Sequence, residues 1–139
     1  GPDDLPLFKP PFSRITAIDM NTGEHLWYVP VGEMSDRIRE HPALEGMDLP
    51  NGGTGTVAPM TVTPTMLMYA SESADGTPHL FAIDKATGET LAMVEVPEES
   101  RYGMMTYMHE GRQYVMLQTG PRLTAMALPS DAPVAADDH

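Results

Sequence analysis

The chain has 139 residues, 41% of them hydrophobic and 20% charged, which is enough for one modest domain. An excess of 20 Asp and Glu over 8 Lys and Arg gives a formal charge of −12 and disfavours nucleic acid as a partner, because phosphates repel an acidic surface. The lack of cysteine excludes disulfides and thiolate metal sites, and no apolar run approaches the roughly 20 residues of a membrane-spanning helix.

The N-terminus begins with Gly1-Pro2 instead of methionine. Such a start is typical of a cleaved expression tag, so we interpret residues 1–9 as a tag scar and linker. The lack of a signal peptide therefore says nothing about where the parent protein is located.

A repeat is the strongest signal in the sequence. The stretch AIDMNTGEHLW, residues 17–27, returns as AIDKATGETLA, residues 82–92, at an interval of 65 residues. A weaker copy, RLTAMAL at residues 122–128, follows 43 residues later. The shorter interval matches a four-stranded propeller blade of about 40 to 50 residues. The repeat and its short strands predict an all-β fold.

Each strong copy of the repeat predicts a hairpin corner. An aspartate ends one strand and accepts hydrogen bonds from backbone N–H groups two or three residues later, and a Thr-Gly pair completes the turn with glycine in the left-handed conformation. In the first copy a tryptophan follows, whose ring is expected to cover the neighbouring blade while its indole N–H finds a partner. We interpret these residues as a structural turn and docking motif: Asp19, Thr22, Gly23, Trp27, Asp84, Thr87 and Gly88.

Residues 33–53 lack the period-2 alternation of a strand, and we interpret them as an insertion between strands. Ser35 is expected to cap a short helical turn, and Pro42 to help end it. The following NGGTGT, residues 51–56, lacks the lysine of a phosphate-binding loop, so a flexible hinge is favoured over an anion cradle.

The remaining β-rich stretches predict two to three four-stranded antiparallel blades, that is, a partial β-propeller with one short helical insertion. A hairpin is expected to turn at Glu110-Gly111. The acidic, proline-containing tail is expected to be disordered. The predicted units are a propeller segment, 10–128, divided into a half blade (10–32), the insertion (33–53), a full blade (54–97) and most of a further blade (101–128), followed by the tail (129–139).

The pattern Ala-x-Asp-x-x-Thr-Gly-x-x-x-Trp resembles the tryptophan-docking motif of the pyrroloquinoline-quinone (PQQ)-dependent dehydrogenases. Residues 10–32, 36–50 and 105–120 are similar to successive landmarks near the C-terminus of membrane-associated sugar and alcohol quinoproteins. The resemblance implies the end of an eight-bladed propeller that holds PQQ and calcium near its axis, in a periplasmic or otherwise extracytoplasmic compartment.

In that family the calcium ligands, the carboxylate base and most cofactor contacts lie in earlier blades. The resemblance therefore assigns no catalytic, cofactor-binding or metal-binding residue here, and the chain alone is expected to be inactive and to bind neither PQQ nor calcium. Two places in the family's last blades approach the cofactor. They correspond to TVAPM, residues 56–60, and to TGPRL, residues 119–123, which is a shortened form of a glycine-rich loop.

A second hypothesis remains open: a cofactor-free, propeller-like scaffold or interaction module. The shortened loop and Ala92, which stands where the first copy has tryptophan, favour this reading, whereas the ordered landmarks favour the enzyme segment. Both readings predict partners, because a cut propeller exposes sheet faces and unpaired edges. These partners are the remaining blades or copies of the chain itself, which makes a homo-oligomer the expectation.

Overall fold

The computed structural model describes residues 1–128, in which nine β-strands form three antiparallel sheets. The first sheet consists of β1 (Arg14–Ile18) and β2 (His25–Pro30). The middle sheet consists of β3 (Met60–Val62), β4 (Met66–Glu72), β5 (Pro78–Asp84) and β6 (Thr90–Glu95). The last sheet consists of β7 (Met104–His109), β8 (Arg112–Thr119) and β9 (Arg122–Ala127). The predicted all-β architecture is confirmed, while the prediction for residues 129–139 lies outside the described residues.

Each sheet is a meander, in which strands that follow one another in the chain are also neighbours in the sheet. The predicted hairpin at Glu110-Gly111 is confirmed, since both residues have positive φ angles of 47° and 75° and connect β7 to β8. The β-rich stretch 61–70 contains a further turn. There the Thr63 N–H donates to the Met66 carbonyl at 2.8 Å, and the Thr63 hydroxyl accepts from the Met66 N–H at 3.0 Å.

The middle sheet lies between the other two and presents alternate side chains to each, as the period-2 geometry of a strand requires. In β5, for example, Phe81 and Ile83 pack towards the first sheet, whereas Leu80 packs towards the last. The buried cluster against the first sheet comprises Ile15, Val31, Ala58, Leu67, Tyr69, Phe81 and Ile83. The cluster against the last sheet comprises Met68, Ala70, Leu80, Val96, Val115 and Leu117.

The insertion folds back against the turn between β4 and β5. Helix α1 (Asp36–Arg39) begins after Ser35, whose hydroxyl accepts from the Arg37 N–H at 3.3 Å, so the predicted cap is confirmed. Pro42 lies beyond the helix end and begins a separate 3₁₀ turn, Pro42–Leu44. The side chain of Met34 is buried, and the Glu33 N–H donates to the Glu72 carbonyl at 3.0 Å. The predicted short helical insertion is therefore present and packed.

The prediction of a flexible hinge at residues 51–56 is wrong at its first half. Gly52 and Gly53 are buried, and a Cβ atom on Gly53 would lie 2.9 Å from the Val31 carbonyl oxygen. The Asn51 carboxamide accepts from the Met34 N–H at 2.8 Å and donates to the Gly32 carbonyl at 3.0 Å. The two glycines are needed for close packing of the backbone, because the chain crosses the start of the first sheet there.

The repeat supplies a matched test of this packing. Ile83 is fully buried, whereas its repeat equivalent Ile18 is 47% exposed. We expect Ile83→Ala to lower the free energy of unfolding by about 2–5 kcal/mol, since it leaves a cavity, and Ile18→Ala to lower it by less than about 1 kcal/mol. Urea unfolding of dilute protein measures both. Equal losses would contradict the stacking of the first sheet on the middle sheet.

Candidate functional site

The corner between β5 and β6 is closed by Asp84. Its carboxylate accepts from the N–H groups of Ala86 at 2.7 Å and Thr87 at 2.9 Å, and the Gly88 N–H donates to its backbone carbonyl at 2.8 Å. These bonds, the one from Thr87 foremost, hold the pKa of Asp84 below its usual value of 3.8 because they stabilise the ionised carboxylate. The Thr87 hydroxyl in turn accepts from the Glu89 N–H at 3.2 Å.

The corner between β1 and β2 repeats this geometry. The Asp19 carboxylate accepts from the N–H groups of Asn21 at 2.7 Å and Thr22 at 3.2 Å, and the Gly23 N–H donates to the Asp19 carbonyl at 2.7 Å. Gly23 has a positive φ of 77°, close to the 79° of Gly88. The two halves of the repeat therefore fold into the same local structure.

Trp27 connects the first sheet to the corner of the middle sheet. Its indole Nε1–H donates to the Lys85 carbonyl at 3.1 Å. Its ring covers Gly88, where a Cβ atom would lie 2.9 Å from Cδ2 of the indole. Gly88 thus serves two purposes, because its φ angle favours glycine and its bare backbone provides a flat platform for the ring. Trp27 from one repeat and Asp84, Thr87 and Gly88 from the next are brought together, whereas Asp19, Thr22 and Gly23 form a separate corner.

The acceptor of the Trp27 hydrogen bond could not be predicted from the sequence, because the Lys85 backbone carbonyl carries no residue-type signal. Lys85 is also held in place by its own N–H, which donates to the Thr65 carbonyl at 3.0 Å. A second turn, SADGT at residues 73–77, was also missed. There the Ser73 hydroxyl donates to Asp75 at 2.6 Å and, together with the Thr77 N–H, lowers the pKa of Asp75 to about 2. The Asp75-Gly76 pair in this turn is a hairpin signal from which the turn could have been predicted.

The two stretches that resemble cofactor-approaching segments are both structured. In TVAPM, residues 56–60, Ala58 is buried in the cluster against the first sheet, while Val57 is almost fully exposed. In TGPRL, residues 119–123, Thr119 pairs with Arg122, so Gly120 and Pro121 alone form the turn between β8 and β9. This turn has no room for a loop that could enclose a ligand.

Within residues 1–128, no three His, Asp or Glu side chains converge on a position that could hold a metal ion. An open pocket of about 440 Å³ lies between the N-terminal segment and the insertion. Its walls are apolar, with Lys9 as the one ionisable side chain among them. This apolar pocket does not offer the oxygen ligands that a calcium ion needs, and no catalytic step is derived from it. Among these residues, no helix is long and apolar enough to cross a membrane.

Comparison with known proteins identifies the family. The family model "Glucose/ethanol/alcohol dehydrogenase, beta-propeller domain", a PQQ family, matches residues 1–115. The chain belongs to this family. The predicted resemblance to PQQ-dependent dehydrogenases is thereby confirmed, and the three stacked sheets are a partial propeller of this family.

Several curated relatives are quinoprotein dehydrogenases. The chain is 31% identical to the quinate/shikimate dehydrogenase (quinone) of Acinetobacter baylyi over 84% of its own length, and 31% identical to the glycerol dehydrogenase large subunit of Gluconobacter oxydans over 94%. It is 28% identical to the quinoprotein glucose dehydrogenase of Escherichia coli over 94%. These matches cover 14%, 18% and 17% of the three relatives, so the chain spans less than a fifth of each. No solved structure matches the chain significantly.

The two corners provide a matched test of the tryptophan contact. Gly88→Ala and Gly23→Ala both place a side chain at a positive φ, which costs about 1–2 kcal/mol. Only Gly88→Ala also forces a methyl group into Trp27, since nothing lies within 4 Å of the Gly23 position. We expect a further loss of about 1–3 kcal/mol for Gly88→Ala and a shift of Trp27 emission. Equal losses with unchanged emission would contradict the contact.

The Asp84 corner predicts a pH dependence. Because folding lowers the pKa of Asp84, its contribution to stability is fully present above about pH 3.8 and is lost as the pH falls through the lower folded pKa. We therefore expect the stability difference between the native chain and Asp84→Asn to shrink with falling pH in this range. Urea unfolding at stepped pH measures it, with Asp48→Asn as the control for removal of one charge. A pH-independent difference would contradict the assignment.

Proposed function

We propose that the chain forms consecutive blades in the wall of a PQQ-dependent dehydrogenase propeller and gives structure to a cofactor-enclosing ring. The contact between Trp27 and the Asp84 corner is the observation that carries this proposal. It fixes one sheet against the next through a packed ring and a hydrogen bond of 3.1 Å. Such contacts set the angle between neighbouring blades, which a ring must keep in order to close.

The names of the relatives support a proposal for the substrate class. Their names give quinate or shikimate, glycerol and glucose, all of which are polyhydroxylated compounds. We propose that the complete protein oxidises a hydroxyl group of a sugar, polyol or hydroxy acid to a carbonyl. Bound PQQ would supply the two-electron acceptor, with calcium beside it. The residues that hold both groups belong to other blades, so the chain alone is inactive.

The location of the protein is also a proposal. The resemblance to membrane-associated quinoproteins favours a periplasmic or other extracytoplasmic site. The chain contains no cysteine, so it would form no disulfide bond in an oxidising compartment.

A cofactor-free scaffold is the second candidate function. The two-residue turn at Gly120-Pro121 favours it, because a loop of this length cannot reach over a ligand. Ala92 also favours it, since the middle sheet offers no ring to the last sheet. In this alternative, the chain would present its open sheet faces to other proteins or to copies of itself.

A chimaera tests the leading proposal. The chain replaces the matching segment of the quinate/shikimate dehydrogenase of A. baylyi, and PQQ-dependent oxidation is measured with an artificial electron acceptor. We expect the chimaera to bind PQQ and to keep activity, and the same chimaera with Gly88→Ala to lose at least part of it through the blade contact. A soluble, folded chimaera that binds no PQQ would contradict the proposal.

A titration of the isolated chain tests the assignment of the cofactor contacts to other blades. PQQ is titrated with excess calcium while Trp27 fluorescence is recorded, and free tryptophan corrects for absorption by the quinone. We expect no saturable quenching, because within residues 1–128 no three His, Asp or Glu side chains converge to hold the calcium ion that accompanies the quinone. Saturable quenching would show that these blades bind PQQ without the rest of the ring and would overturn the assignment of the cofactor contacts to other blades.

A further inference from the structure

Strand β6 is a free edge of the middle sheet. It pairs with β5 on one side, and among residues 1–128 no strand pairs with its other side. All residues of the strand are exposed, and two of its apolar side chains, Leu91 and Met93, are 52% and 47% exposed. Because β5 precedes β6 and β7 follows it, this edge is an internal feature of the chain.

The position of the β6 edge in the fold keeps neighbouring blades away from it. The first strands of the middle and last sheets, β3 and β7, approach each other closely, and β6 is at the opposite end of the middle sheet from β3. The sheets of a propeller converge on its central channel. The β3 edge therefore faces the axis, and the β6 edge faces the outer rim. A neighbouring blade packs against the face of a sheet, so it does not cover an edge at the rim.

Two residues of β6 direct their backbone groups away from β5. The Val96 N–H donates to the Pro78 carbonyl at 3.0 Å, so these two residues are a hydrogen-bonded pair of the ladder. Hydrogen-bonded and non-hydrogen-bonded pairs alternate in an antiparallel ladder, so Val94 bonds to β5, whereas Met93 and Glu95 do not. The N–H and C=O groups of Met93 and Glu95 therefore point out of the sheet edge, where an added strand can pair with them.

The equivalent edge of the first sheet is blocked. The two copies of the repeat are 65 residues apart, so Pro30 of β2 corresponds to Glu95 of β6, and both lie at the same place in the strand pairing. Proline has no N–H to donate, and a proline on an edge strand protects that edge from pairing. β6 contains neither proline nor lysine, and Glu95 is its one charged residue. The edge that the first sheet blocks is therefore open in the middle sheet.

The charges around β6 disfavour a second copy of the chain as the added strand. Residues 89–99 contain no lysine or arginine but four glutamates, Glu89, Glu95, Glu98 and Glu99. Within residues 1–128 only one of them, Glu99, forms a salt bridge, with Arg101. Pairing of two copies through β6 would bring two acidic segments together, and like charges on paired strands repel each other. A strand with lysine or arginine near its ends is attracted instead.

We propose that β6 is a docking edge for another polypeptide, which adds an extended segment to the four-stranded middle sheet. Strand addition of this kind takes its affinity from backbone hydrogen bonds and its selectivity from alternate side chains. Met93 and Glu95 share one face of the sheet, as alternate residues of a strand do. The segment that fits therefore has an apolar residue opposite Met93 and a lysine or arginine opposite Glu95. The partner binds at the rim, so the chain keeps its place as consecutive blades.

A synthetic peptide tests the docking edge. The probe is acetyl-Lys-Lys-Val-Thr-Val-Thr-Val-Lys-Lys-amide, whose β-branched residues favour an extended strand. We expect it to bind the full chain and to protect the Met93 and Glu95 amides from hydrogen exchange. Binding is expected to weaken as NaCl rises, because salt screens the attraction between the lysines and the glutamates. Two control peptides are expected not to bind: one has glutamate in place of lysine, and the other is N-methylated at every valine and threonine.

Two variants at one position separate the backbone contribution from the charge. Glu95→Pro reproduces the blocked edge of β2 and is expected to lower the affinity for the lysine peptide at least about 10-fold, because it removes an edge N–H and puts a ring in its place. Glu95→Gln keeps the N–H and is expected to lower the affinity by a smaller factor, which shrinks further at high salt. Urea unfolding checks that both variants are folded.

Several results would overturn the proposal. These are no binding of the lysine peptide, equal affinity of the native chain and folded Glu95→Pro, or equal binding of the lysine and glutamate peptides. If Glu95→Pro does not fold, the N-methylated peptide makes the same test on the native chain, and its binding would overturn the proposal. Dimerisation of the native chain that Glu95→Pro abolishes would assign the edge to a second copy and overturn it too. The chimaera test is independent of these results, because it measures closure of the ring and not binding at its rim.

Discussion

The two-sided packing of β4 and β5 is the interaction on which the rest of the structure depends. Successive side chains of these strands alternate between the first and the last sheet; half of them are buried and none is exposed. Both apolar clusters therefore share one backbone. A change on either side of β5, at Leu80 or at Ile83, acts on a different sheet contact although the residues are only three apart. The position of this sheet between the other two explains why β4 and β5 carry buried side chains on both of their faces.

The tryptophan contact adds direction to this packing. Apolar faces alone leave neighbouring sheets free to slide, because hydrophobic contacts carry little angular information. The hydrogen bond from Trp27 to the Lys85 carbonyl and the flat platform at Gly88 fix one position. The middle sheet has Ala92 at the equivalent place, and the last sheet has no corner after β9 within the described residues. Within residues 1–128, neither such a ring nor a receiving corner lies at that boundary.

Membership of the PQQ dehydrogenase family is compatible with the lack of a metal-binding cluster among residues 1–128, because the ligands of a propeller site come from several blades. Side chains from several blades converge near a ring axis, so a segment of two to three blades can be necessary for a site without containing one. Among residues 1–128, the outer faces of the first and last sheets carry exposed apolar side chains, as the faces between neighbouring blades do.

The sequence by itself determined the local structure. The Asp-x-x-Thr-Gly corners, the Ser35 cap and the Glu110-Gly111 hairpin were predictable because their hydrogen bonds join residues within a few positions of each other. The repeat interval and the motif also led to the correct family.

Only the tertiary structure decided which surfaces meet. The hydrogen-bond acceptor for the Trp27 indole is a backbone carbonyl 58 positions away. Because every residue type has the same backbone carbonyl, the sequence does not indicate which one accepts. The glycines at positions 52 and 53 were predicted to form a hinge but are packed. A glycine in the sequence looks the same whether it provides backbone flexibility or allows close approach of neighbouring atoms. Burial at Ile83 and exposure at Ile18 likewise follow from the number of sheets on each side and not from the repeat itself.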